Sequence, residues 1–71
     1  MTLFDRLRGH AVAWRPTGSA AEPYYAQALG HRLRLRVNDF PAEALYTLLV
    51  DGEPVGHLDR WPAGWRRPAS A

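Results

Sequence analysis

Seventy-one residues allow one domain at most, with a core that leaves little stability to spare. The chain holds no cysteine, which excludes disulfide staples and thiolate chemistry, and no apolar run approaches the ~18 residues of a membrane span. Formal net charge is +2, and all nine basic residues are arginine; three fall within residues 32–36, while Asp39 to Asp59 carries five acidic residues and no arginine.

Residues 2–9 predict a short helix. Thr2 is an acceptable N-cap, Asp5 falls in the favourable first turn, Gly9 can stop it, and Leu3, Phe4 and Leu7 share one side. Two turns are marginal alone, so this helix requires docking. The rivals are a frayed amphipathic arm, or an extended segment running into residues 10–14 as an edge strand that ends near Pro16. Residues 16–23, small and punctuated by Pro16 and Pro23, predict a loop. Residues 24–29 suit a helical turn or a strand equally, and Gly30 either separates them from the next element or marks a bulge.

The strongest pattern is residues 31–37, where Arg32, Arg34 and Arg36 alternate with Leu33, Leu35 and Val37. A period of two belongs to a half-buried strand with its apolar residues on one face and its arginines on the other. Residues 38–41 end it, because Asn38 and Asp39 favour turns and Pro41 restricts Phe40. A second strand is expected over residues 45–50. Asp51-Gly52 is a hairpin signal, and a third strand follows at 55–58 after a loop of about four residues, since Pro54 cannot donate to a ladder.

The expected fold is therefore α+β or mainly β, a single small domain over residues 1–71. Its centre is an antiparallel three-stranded meander, with core sheet about 31–58, joined by a short N-terminal helix or an additional edge strand. Both faces of the middle strand are apolar, Leu45 and Leu49 against Tyr46, Leu48 and Val50, so both need cover. A homodimer or the aromatic segments would supply it. Trp61 and Trp65, four apart around Pro62, are expected on one helical turn folded over the sheet, with residues 66–71 a frayed tail.

No constellation specifies a reaction. His10, His31 and His57 lack metal-ligand spacing even with Asp59 as a further ligand. Asp39, Glu43, Asp51, Glu53 and Asp59 lack the regular series of a calcium loop, and neither Ser19 nor Ser70 has nucleophile context. The arginine stripe, spaced about 7 Å along a strand, suits phosphates or acidic side chains, although the simpler reading is a solvated face whose stems cover apolar neighbours. The expectation is a noncatalytic protein-interaction module without cofactor or metal, self-associating or docking to a larger assembly. Its charged contacts would be Arg32, Arg34, Arg36 and Arg66, and its aromatic ones Tyr24, Tyr25, Trp61 and Trp65. The alternative is a nucleic-acid-binding or regulatory module using the arginine-lined face. Residues 1–6 lack the pattern of an export signal, so a soluble, cytoplasmic protein is expected.

Overall fold

The structure, a computed structural model, describes residues 1–68. The elements in chain order are α1 (Leu3–Arg8), β1 (Val12–Ala13), β2 (Arg15–Pro16), β3 (Tyr24–Ala28), β4 (His31–Val37), β5 (Tyr46–Val50), β6 (Glu53–Leu58) and β7 (Trp65–Arg66). Strands β2 to β6 form one antiparallel sheet in sequential order, and β1 and β7 form a separate parallel pair.

The expected three-stranded meander with an N-terminal helix is therefore corrected to five strands plus a two-stranded pair, with helix limited to six residues. Three local causes account for the difference. Residues 24–28 form a strand because they pair in register with β4, setting Tyr24 opposite Leu35, Ala26 opposite Leu33 and Ala28 opposite His31. The segment around Trp14 supplies two short strands that divide between the sheets: Trp14 N–H donates to the Arg66 carbonyl at 3.0 Å, while Arg15 pairs with Tyr25. Residues 61–64 make no helical turn. Trp65 N–H donates to the Pro62 carbonyl at 3.1 Å, and the chain enters β7.

Two expected boundaries also move. Pro16 belongs to β2, so the connecting loop is residues 17–23. The β5–β6 connection is two residues, Asp51 and Gly52, with φ of 51° and 89°, the geometry of a tight hairpin turn that needs positive φ at both positions. Pro54 lies within β6 because that strand is at the sheet edge, where a nitrogen without hydrogen can face away from the ladder. Of the expected frayed tail, Arg66 lies in a strand, while residues 69–71, including Ser70, are outside the described residues.

The core sits on one face of the large sheet. Leu33, Leu35 and Leu48 are fully buried there, together with Leu7, Val12, Trp14, Trp65 and Leu58. Helix α1 opens with a capping box: Asp5 N–H donates to Thr2 Oγ1 at 3.1 Å, and the Asp5 carboxylate accepts from Thr2 N–H. Six residues do not hold a helix in water, so docking decides. Trp65 Nε1–H donates to the Leu7 carbonyl at 2.8 Å, and Phe4 lies flat on Gly56, where a Cβ would stand 2.6 Å from the ring. The inner face is thus closed by α1 on β6 and β7, and by an aromatic cluster. Trp61 meets Trp14, Tyr24, Tyr46 and Trp65 edge-on, with centroids 5.5 to 6.3 Å apart.

Candidate functional site: the arginine face of the sheet

The opposite face of the five-stranded sheet is where the exposed charge collects. Residues paired across an antiparallel ladder point to the same side, so the register lays out this face row by row. One row reads Arg15, Tyr25, Arg34, Leu49, Pro54; the next along β4 reads Arg36, Thr47, His57; at the other end Gln27 pairs with Arg32. The pleat of β4 therefore puts Arg32, Arg34 and Arg36 together in the open, as its alternation predicts. Arg15 joins them from β2.

The apolar side chain on this face is covered locally. Leu49 is 3% exposed although it lies outside the core cluster, set in the ladder between Arg34 and Pro54. Long arginine stems shield such a neighbour while the guanidinium stays in water. Thr47 is likewise buried: its hydroxyl accepts from Asn38 Nδ2–H at 2.7 Å and lies 3.0 Å from His57 Nδ1.

Carboxylates meet the arginines at two points. Glu22, from the 17–23 loop, places its two oxygens 3.5 Å from Arg34 Nη1 and 3.9 Å from Arg36 Nη2. The loop presenting it is internally fixed: Thr17 Oγ1–H donates to the Glu22 carbonyl, Glu22 N–H donates to Ser19 Oγ at 3.2 Å, and Val37 N–H donates to the Ala21 carbonyl at 2.9 Å. At the far end Asp51 accepts from Arg32 N–H at 3.0 Å and stands 2.7 Å from His31 Nδ1. The hydrogen bond with His31, then that from the Arg32 amide, hold the Asp51 carboxyl below its ordinary value of 3.8. The side chains of Arg15 and Arg32 have no carboxylate within ion-pair distance among the described residues. Between Tyr25, Gln27, Arg32, Arg34 and the Asp51–Gly52 turn lies an open depression of about 480 Å³.

The residues singled out from sequence separate into two groups. Arg32, Arg34, Arg36 and Tyr25 share this face, and Tyr25 stands between Arg15 and Arg34 in the ladder. Tyr24 and Trp61 are half-buried against the core, and Trp65 is 3% exposed within it. Arg67 stacks over Trp61 at 4.8 Å, capping that indole. Arg66 lies on β7, away from the large sheet. Sequence reasoning missed Arg15, Gln27 and Glu22. Arg15 sits beside Trp14 and Pro16 in too short a strand for a period to show, and Glu22 reaches the arginines only through loop geometry.

Guanidinium forks on a solvated sheet suit oxyanions such as carboxylate or phosphate, which can accept two N–H bonds side by side. The His31–Asp51 pair orients an imidazole, but among the described residues no hydroxyl is bonded to that ring. No group of three or more His, Asp or Glu side chains converges on a metal position among the described residues. No helix there is long and apolar enough to cross a membrane. No family model matches the chain, and neither a curated protein nor a solved structure does.

Proposed function

We propose that this chain is a noncatalytic protein-binding module that docks onto a larger assembly through the arginine face of its sheet. The observation that carries the reading is the convergence of Arg15, Arg32, Arg34 and Arg36 with the exposed Tyr25 on one solvated surface. Arginine and tyrosine are the residue types that interfaces enrich, because each brings a large flat contact area together with hydrogen-bonding capacity.

Two features favour protein over nucleic acid. Tyr25 alone of the four candidate aromatics shares the arginine face, so a row of stacking platforms is lacking among them. Glu22 and Asp51 interrupt the arginine face, so a continuous phosphate backbone crossing it would meet them, whereas a protein can set its carboxylates against the arginines alone. Docking is favoured over self-association because α1 and the indoles cover the inner face, and Leu49 is shielded within the chain. A cytoplasmic location is part of the same proposal.

The test is affinity capture from nuclease-treated lysate of the protein's own cells, comparing wild type with an Arg32→Glu/Arg34→Glu variant of unchanged thermal melt. Proteins held by wild type and lost by the variant are the expected result. Nucleic acid recovered before nuclease, with nothing retained after it, would overturn the reading.

A further inference from the structure

The arginine face already holds one carboxylate, and the way it is held points to the chemistry of the partner. Glu22 lies between two guanidiniums at 3.5 and 3.9 Å, long for charge-assisted hydrogen bonds, and the Arg34, Arg36 and Glu22 side chains retain 53%, 47% and 30% exposure. Ion pairs of this solvated kind contribute little to stability, so exchanging one carboxylate for another costs little. The exchange does not require the loop to unfold. The backbone at Glu22 is fixed by Thr17 and Ser19, independently of where its side chain points. Beside this occupied pair, the Arg15 and Arg32 side chains make no ion pair among the described residues, although the Asp51 carboxylate lies near enough to feel the Arg32 charge, and the depression lined by Tyr25, Gln27, Arg32, Arg34 and Asp51 lies open beside Arg34 and Arg32.

We propose that Glu22 is an internal stand-in for a partner's side chain, and that the face binds an acidic segment of a partner protein whose carboxylates replace Glu22 at Arg34 and Arg36 and also engage Arg32 and Arg15. The inference rests on the docking reading above and adds the partner's chemistry and a built-in competitor. Glu22 then lowers the affinity of acidic surfaces modestly, and a segment with several carboxylates regains that loss through Arg32 and Arg15. The attraction is screened by salt, since every group involved is solvated.

The experiment measures binding of a short all-glutamate peptide, and of a single-stranded oligonucleotide of equal charge, to the full chain and to its Glu22→Gln and Arg15→Gln variants. Removing the competitor is expected to tighten peptide binding roughly two- to fivefold, the gain set by a solvated ion pair. Arg15→Gln is expected to weaken it. In wild-type protein, the Glu22 carboxyl carbon resonance should move as peptide is added, a readout that does not depend on either variant folding. An unchanged or weakened affinity in Glu22→Gln, an unmoved Glu22 resonance, or tighter binding of the oligonucleotide than of the peptide would each overturn the proposal. Arginine-dependent protein capture combined with an unmoved Glu22 overturns the exchange alone and leaves the docking face standing.

Discussion

Leu29 occupies a backbone conformation that its side chain opposes. It has φ of 52°, and with Gly30 at 78° it forms the two-residue turn between β3 and β4. Both positions of such a turn need positive φ, which glycine adopts freely and asparagine tolerates, whereas the Cβ of leucine crowds the following carbonyl. Leu29 is also 36% exposed, so burial offsets that strain only in part. Leu29→Asn is expected to stabilise the protein by about 1 kcal/mol, raising the melting temperature by about 4–8 °C. A thermal melt of the variant checks this, and an unchanged or lower midpoint would mean that Leu29 packing outweighs the strain. The same residue hides this hairpin in the sequence. Asp51-Gly52 announces its turn by composition, but Leu29-Gly30 looks like the end of an apolar run, so residues 24–29 suit helix and strand alike.

At the scale of elements, periodicity was informative where strands were long enough to carry it. The seven residues of β4 display arginine and apolar residues in strict alternation, and that pattern locates both the core face and the charged face. The two-residue strands β1, β2 and β7 have no period to display, and pairing alone defines them. The β5–β6 hairpin shows how one side chain ties elements together. Asp51 closes its own turn and clasps the start of β4 through the Arg32 amide and His31. Because folding holds its carboxyl below the ordinary 3.8, the unfolded chain binds more protons between the two values. The contribution is present above the ordinary value and is lost as pH falls through the folded one. Asp5, held low by Arg8 and then by Thr2 in the capping box, acts in the same direction. Urea midpoints followed from about pH 6 to about pH 2.5 should fall with acid, and fall less in Asp51→Asn than in wild type. Parallel curves would show that the clasp does not titrate with folding.

For the whole molecule, the question is what the sheet offers at its boundary. The inner face is filled by α1, Trp14, Trp61 and Trp65, and the β2 end of the sheet continues through Trp14 into the β1–β7 pair. The large sheet has two edges, β2 with only two residues and β6 with six, so β6 is the long one. An unprotected edge is a template for a second copy, and proteins blunt such edges with proline, charge and bulges. All three occur here: Pro54 has no N–H to offer, Glu53 places a charge at the first position, and the register slips between Leu48 and Leu49 so that Val55 is left without an opposite residue. None of this is visible in Pro54 taken alone, which from sequence reads as a residue outside the strand; its meaning depends on β6 being last in the order. The arrangement discourages edge-to-edge pairing of two copies, and the proposed docking surface, the arginine face, lies away from this edge's ladder. Pro54→Thr returns a donor to the edge with a residue that favours strands, and is expected to convert a monomer into a species whose mass rises toward that of a dimer as concentration increases. Sedimentation velocity over a concentration series decides it. If the variant stays monomeric throughout, the bulge and Glu53 suffice to guard the edge; if the wild type already associates, edge pairing is not what the proline prevents, and the arginine face must be weighed as a contact between copies.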